Sequence, residues 1–480
     1  KNTAPTLEDY AGSWIDMPLG FPMIVINSLE RFNTVAEEKF VTNRFISKLT
    51  QPNKWFNQTE FKWSQVHEYN QDEVLADLRT ADICAIDIET PGDDNRSITC
   101  VGYCCYWRDT GRTHCYVVHF NSEWAWQFVR AASATRSFKI FQNGQYDNSY
   151  LLRWGCPVHN WQGDTLNLMH SWYSELPKRL DFITAFALRK QRFWKNDGKT
   201  GSLEDLFRYN ALDCWATLNS FLSLLAEMPD WAINNYLIEF PMVFPSLNAA
   251  LEGMAVDETQ FDKVLAGKKA EAESHLTRLR YLIDSPGFNP RSPPQMERLF
   301  KLLGCGSLPT TGKADMLKAR AASPLNDLIL GEAVIYKEAA KIISSYLDKD
   351  KLWNGRWYYA IDPAGTDTGR SVSKASAFWC GNSIQTIPRG DSIKSFLCAD
   401  PGWLLAEPDK AQSEARCVGY LAGESSLIEL VEGPHDYHSW NAQAFFGIPY
   451  EHIYDDVRKK TLDKILRDLS KRTNHGANYN

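Results

Sequence analysis

The sequence predicts an α/β protein, with a mixed sheet in its first half, a helical stretch after it, and strands again towards the end. Three observations predict this. "SITCVGYCCYW" (97–107) and "HCYVVHF" (114–120) are β-branched and aromatic with strand alternation, and helical patterns alternate with such segments to about residue 235. From 236 the apolar spacing turns helical. From about 351 strands return in "RWYYAID" (356–362), "SFLCAD" and "WLLAEPD" (395–409).

Composition bounds the classes. A chain of 480 residues with 44% hydrophobic and 13% aromatic content has room for two to four packed domains, without a low-complexity tract. No apolar run approaches the roughly 20 residues of a membrane span. "FPMIVI" (21–26) is short and preceded by Asp9 and Asp16, a poor signal peptide. Eleven cysteines, an odd number without CxxC or zinc spacing, read as free thiols of a reducing compartment, with Cys104 and Cys105 as ordinary strand residues. A net charge of −7 argues against a globally basic nucleic-acid coat protein and leaves a nucleic-acid enzyme open. The sequence opens on Lys1 and stops at "NHGANYN" without a helix ending, as a fragment, or a sequence lacking internal segments, would.

Along the chain, residues 1–62 carry no usable motif. "QDEVLADL" (71–78) forms a short helix leading into the strand "ADICAIDIET". In 257–284, Phe261, Val264, Leu265, Ala272, Leu276, Leu279 and Ile283 fall near helical spacing, with Asp257 and Gln260 as a capping box. "SPPQMERLFKLLG" (292–304) begins a second helix with Ser292 as N-cap and Gly304 as its stop. Helices are expected again at 411–422 and 459–474.

Three segments carry acids. In "AIDIET" (85–90), Asp87 and Glu89 share one strand face, beside apolar neighbours. Like charges there need either a cation or a solvated strand end, and the segment alone leaves both open. "FQNGQYDNSYLL" (141–152) sets Asp147 after a strand-to-helix turn holding Asn143 and Gly144, and "FRYNALDCWATL" (207–218) puts Tyr209 and Asp213 on one helix face. Asp164 in "GDTLNLMH" reads as a structural helix cap.

The ordered blocks Asp-x-Glu, Asn-x-x-x-Asp and Tyr-x-x-x-Asp resemble the DEDD-type 3′–5′ exonucleases, the tyrosine marking the DEDDy subgroup. The resemblance implies a ribonuclease H-like domain and decides for metal. Carboxylate oxygens suit Mg²⁺ or Mn²⁺, and four acids can hold two ions per active site. By the resemblance, Asp87 bridges the two, Glu89 and Asp213 complete the site of the attacking water, and Tyr209 orients that water. Asp147 holds the second ion through water, and Asn143 meets the DNA.

A second ordered series is "GTDTGRSVS" (365–373), "SIQTIPR" (383–389), "AEPDKAQSEARCVGYLAG" (406–423), "HDYHSWNAQAFFG" (435–447) and "RDLSKRTNHGANYN" (467–480). It resembles the palm and early fingers of family A DNA polymerases, the bacterial DNA polymerase I family and its phage relatives, and with the exonuclease blocks covers about 63–480. The resemblance implies an exonuclease domain at 63–235, a thumb at 236–350 and a partial α+β palm with the start of the fingers at 351–480. Residues 1–62 stay unassigned, too short for a 5′-nuclease domain.

Residue by residue, Asp409 matches the first catalytic, metal-binding aspartate of the palm, at a strand end. Glu414 matches the steric gate against a ribose 2′-OH. Arg370 and Gln385 match residues on the primer–template minor groove. Arg467 and Lys471 match those that grip the triphosphate, and Tyr479 the aromatic near the templating base. Lys410 replaces a usual tyrosine, His475 stands where Phe or Tyr packs against the incoming nucleotide, and Asn480 replaces a glycine. The family's second palm aspartate lies beyond the fingers and has no counterpart here.

The expectation is a template-directed DNA polymerase with proofreading, acting on primer–template DNA and dNTPs in the cytoplasm, the host's if phage-encoded. "FQNGQYD", "LPKRLDF" and "RYNALDC" look most like phage members. No membrane contact is expected, and no helicase, clamp or processivity partner can be named. The rivals are a stand-alone DEDDy exonuclease with a degenerate polymerase half, and a non-catalytic DNA-binding scaffold.

Overall fold

The computed structural model describes residues 10–17, 22–26, 35–91, 97–191, 193–196, 201–305, 310–375, 381–388, 390–410 and 412–479. A hairpin of β1 (Trp14–Asp16) and β2 (Pro22–Ile24) and helix α1 (Val35–Thr50) come first. The strands β3 (Trp63–Val66), β4 (Ile83–Glu89), β5 (Cys100–Trp107), β6 (Arg112–His119), β7 (Phe138–Phe141) and β8 (Trp161–Asp164) form one sheet in the order β3-β6-β5-β4-β7-β8. β4, β5 and β6 run antiparallel, and the other pairings are parallel. Between them lie α2 (Gln71–Thr80), α3 (Glu123–Ser133) and α4 (Gln145–Arg153), followed by α5 (Thr165–Trp172), α6 (Leu180–Ala187) and α7 (Leu203–Glu227).

β4 is covered on both faces, which is why its first four residues, Ile83 to Ile86, are all buried. Tyr103 on β5 meets Phe128 of α3. Gly102, next to it and so on the opposite face, lies under Asn210 and Cys214 of α7. Asp87 pairs with Gly102 and Glu89 with Cys100, so both acids face α7.

The motif-free N-terminal stretch packs onto this same body. Val41 and Phe45 of α1 join its core. Arg44 forks onto Glu227 at 2.8 and 2.9 Å, and the buried Lys48 donates to the Gly12 carbonyl at 2.6 Å.

Beyond lie α8 (Asp230–Glu239), α9 (Val243–Glu252), β9 (Met254–Val256), α10 (Glu258–Leu282), α11 (Pro293–Leu302), α12 (Lys313–Arg320) and α13 (Pro324–Tyr346). Leu279, Met296, Leu299, Phe300 and Leu330 form the core of the helical part. Asp257 caps α10 by accepting from the Gln260 N–H at 3.0 Å, while the Gln260 amide donates to Ser395 Oγ, so the expected capping box is half used. Gly304 ends its segment at φ +72, as expected.

"RWYYAID" is two strands rather than one, β11 (Arg356–Trp357) after β10 (Leu352–Trp353), then β12 (Ala360–Asp362). β12 pairs with β13 (Val372–Lys374), and after α14 (Asp391–Lys394) comes β14 (Leu397–Cys398), in a sheet of order β10-β11-β9-β14.

The expectation fails at "WLLAEPD". Residues 403–410 form no strand, and Trp403, Leu404 and Leu405 are 77%, 94% and 55% exposed. A strand needs a neighbour for its backbone and a surface for its apolar face, and among the described residues neither is supplied.

The chain divides into two compact units, Lys1–Gly402 and Trp403–Asn480. The second holds α15 (Ser413–Ala422), α16 (Ser425–Glu432), α17 (Tyr437–Phe446), α18 (Tyr450–Ile453), β15 (Tyr454–Asp455), β16 (Lys460–Thr461) and α19 (Lys464–Tyr479). No described helix in either unit is long and apolar enough to cross a membrane.

Candidate metal centre

The end of β4 and the start of α7 bring three acids together. Carboxylate oxygens of Asp87, Glu89 and Asp213 all lie within 4.8 Å of one another. The strand supplies two on one face, and α7 crosses that face with Tyr209 and Asp213 one turn apart. Asp147 lies behind this group: its Oδ1 accepts the Ile88 N–H at 3.0 Å, and it is buried.

Its position is set by Asp164, which does act as a cap. The Asp164 carboxylate accepts from the N–H groups of Asn143 at 3.1 Å, Gly144 at 2.7 Å and Leu166 at 2.9 Å. One side chain thus ties the turn before α4 to the start of α5. The turn needs this support, because Asn143 sits at φ 60, in the left-handed region.

The electrostatics call for a cation. Burial, then the charges of Asp147, Asp213 and Glu89, push Asp87 well above the usual carboxylate range. Glu89 is pushed up to about 8, by burial first and Asp213 next. Asp147 is also pushed up to about 8 by burial, against the Ile88 N–H that favours its charge. Hard oxygen donors, close together and costly to ionise alone, are the donor set that suits Mg²⁺ or Mn²⁺. The residues therefore fit the cations that the acid pattern implied.

Three partners escaped the sequence reading. Asn210 donates through Nδ2 to Asp87 Oδ2 at 2.7 Å, and Trp194 donates through Nε1 to Asp213 Oδ1 at 2.5 Å. Lys195 Nζ reaches both Asp213 oxygens, at 2.9 and 2.8 Å, and the Tyr209 hydroxyl at 3.2 Å. Burial works against the Lys195 charge, but Asp213, with Asp87 and Glu89, outweighs it and raises its pKa. Burial and then Asp213 push the Tyr209 phenol up, so its proton stays in place. Asn210 shares a helix face with Asp213, a signal present in the spacing; Trp194 and Lys195 come from the segment between α6 and α7, where no period marks them.

The remaining predicted residues are dispersed. In the first unit, Asn143 lines a cleft of about 190 Å³ with Tyr146, Ile361 and Lys374. Arg370 is exposed, and its N–H donates to Thr366 Oγ1 at 2.8 Å. Gln385 bridges to β13 by accepting from the Ser373 N–H at 2.8 Å and donating to the Ser371 carbonyl at 3.0 Å. That amide braces the loop carrying Arg370. In the second unit, Asp409 lies in the exposed stretch 403–410, which is not a strand, and Glu414 is exposed in the first turn of α15. Arg467 forks onto Asp436, with Nε at 2.9 Å and Nη2 at 2.8 Å. Lys471 is exposed on the same helix. His475 and Tyr479 lie within α19, with side chains outside the described residues, as does Asn480 entirely.

Comparison with known proteins adds an independent line. Residues 259–466 match the model of DNA polymerase family A. A thermostable DNA polymerase I of Thermus aquaticus is 30% identical over 254 residues, covering 48% of this chain and 28% of that protein. A DNA polymerase I of Rhizobium leguminosarum is 26% identical over 269 residues, covering 52% of this chain and 26% of that protein. The chain thus spans little more than a quarter of either relative. Among solved structures, the POL domain of Pol1 from M. smegmatis, in complex with DNA primer-template and dNTP, is similar in fold, with a TM-score of 0.64 at 16% identity, covering 87% of this chain and 71% of that one. The similarity to DNA polymerase family A thus falls on residues 259–466.

Proposed function

We propose that the chain serves template-directed DNA synthesis in replication and edits it with a 3′–5′ exonuclease of the DEDDy type, on a ribonuclease H-like domain. The observation that carries the editing half is the convergence of Asp87, Glu89 and Asp213 within 4.8 Å, in the α/β body that precedes the family A region. Divalent cations, Mg²⁺ or Mn²⁺, bound there supply Lewis acidity for phosphodiester hydrolysis. Asp87, Glu89 and Asp213 would hold them, with the buried Asp147 behind. Tyr209 keeps its proton and offers a hydroxyl to orient the attacking water. Asn143, beside its cleft, meets the 3′ strand.

For synthesis, the reading assigns Asp409 to the palm metal site and Glu414 to exclusion of the 2′-OH. Arg467 and Lys471 take the triphosphate, and His475 and Tyr479 the bases. Arg370, braced through Gln385, takes the primer–template groove. The substrates are primer–template DNA and dNTPs. A phage origin and a cytoplasmic site of action remain part of the proposal on the strength of sequence phrases and free thiols.

The test is degradation of 3′-labelled single-stranded DNA by this chain with Mg²⁺ or Mn²⁺. Asp87→Ala combined with Glu89→Ala abolishes it while leaving the circular dichroism unchanged. A double variant that digests at the parental rate overturns the assignment.

A further inference from the structure

We infer that Lys195 is a positioning residue of this centre, a built-in countercharge that competes with the divalent cation for Asp213 and so sets how much cation the site requires. The inference rests on the exonuclease reading and adds to it a residue that neither the acid pattern nor the family match singles out.

An ionised carboxylate offers about four acceptor positions. At Asp213, Trp194 Nε1 takes one on Oδ1, and Lys195 Nζ takes one on each oxygen. A cation that uses Asp213 must therefore share it with an ammonium already seated between its two oxygens. The ammonium is held there from a second side by the Tyr209 hydroxyl, at 3.2 Å. Trp194, 1% exposed, fixes the backbone next to it. Lys195 cannot simply swing away without leaving the loop's buried anchor and the tyrosine. Displacing it, or binding beside it, costs the cation affinity. In return, the lysine keeps Asp213 and Tyr209 in register with each other, as a water-orienting pair needs.

A merely structural lysine would behave differently on removal: loosening the loop would weaken cation binding or leave it unchanged. A competing lysine gives the opposite sign. One unit charge at contact distance is worth about a factor of five even at the dielectric of water, and more in a part-buried site.

The experiment measures Mn²⁺ binding to the 480-residue chain, by electron paramagnetic resonance of free Mn²⁺, for the parent, Lys195→Met and Lys195→Arg. Lys195→Met is expected to lower the Mn²⁺ dissociation constant about fivefold or more, and Lys195→Arg to stay near the parent. If Lys195→Met does not fold, Lys195→Gln is read in the same way. Parental or weaker binding by the neutral variant overturns the inference while leaving the metal centre standing. Absence of Mn²⁺ binding in the parent, or binding indifferent to Asp87→Asn, overturns both this inference and the centre it rests on.

Discussion

Replacing Gly102 by alanine is the smallest perturbation that tests how the acid cluster is held. Gly102 faces Asp87 across the β4–β5 pairing. A Cβ at Gly102 would fall on Asn210 Oδ1 and lie 2.8 Å from Cys214 Sγ. Asn210 and Cys214 are both fully buried on α7, so neither can yield into solvent. Two costs follow. Overpacking a well-filled interior costs about 1–3 kcal/mol. If Asn210 is pushed aside it also gives up its 2.7 Å hydrogen bond to Asp87, and a hydrogen bond to a charged group is worth about 1.5–3 kcal/mol.

Together these predict a loss of about 3–5 kcal/mol, and at about 1 °C per kcal/mol for a compact unit of this size a drop in melting temperature of about 5 °C. The assays are thermal and urea unfolding followed by circular dichroism, with the single-strand nuclease rate measured on the same samples. Asn210→Ala removes the obstructing amide, so the double variant should be less destabilised than the sum of the singles, by about 1 kcal/mol or more. Stability of Gly102→Ala within about 0.5 kcal/mol of the parent, or strict additivity in the cycle, refutes the close approach of α7 as the cause.

Asp164→Ala strips the acceptor from four backbone N–H groups, those of Asn143, Gly144, Leu166 and Asn167, and should lower stability by about 2–3 kcal/mol and the nuclease rate with it. Asp164→Asn should retain part of both, since one oxygen remains while its NH₂ opposes a donor; equal behaviour of the two variants in urea unfolding would count against the cap. In the second unit, burial works to raise the Asp436 pKa, but bonds from Arg467 and Ser439 outweigh it and hold it below the ordinary range. Its stabilising contribution is therefore present above about pH 4, the unfolded value, and lost as pH falls through the lower folded value. Hydrogen-exchange protection of α17 should decline on acidification below about pH 4 in the parent and stay flatter in Asp436→Asn; parallel curves would remove the linkage. In a protein that also carries the second palm aspartate, Glu414→Ala should raise ribonucleotide relative to deoxynucleotide insertion, read as kcat/KM for single additions, because a 2′-OH would no longer meet that side chain. Arg467→Ala should depress both sugars alike, and an unchanged ratio in Glu414→Ala would sink the gate.

What the sequence made legible is what local geometry encodes. Period two placed Asp87 and Glu89 on one strand face, and a spacing of four placed Tyr209 with Asp213, because strand and helix impose those repeats whatever surrounds them. Asp164 was readable as a cap for the same reason. Strand formation at 403–409 was not, since the apolar pattern says only that a strand could form, and pairing depends on a second segment. Nor could the order of the blocks say what each carboxylate does with its lone pairs. Asp147 stands in the right block, yet one oxygen is engaged by the Ile88 N–H.

The same limit explains Lys195. Acids on regular elements announce themselves by period, whereas a counterion delivered by a connecting segment has no period and is revealed only when the fold closes. A buried acid cluster must have such counterions, since uncompensated like charge at this burial is costly. The physical requirement was therefore predictable although the residue was not. The sign of the effect follows from the same requirement: whatever neutralises Asp213 within the chain is, by charge, a competitor of the cation that the cluster is built to hold.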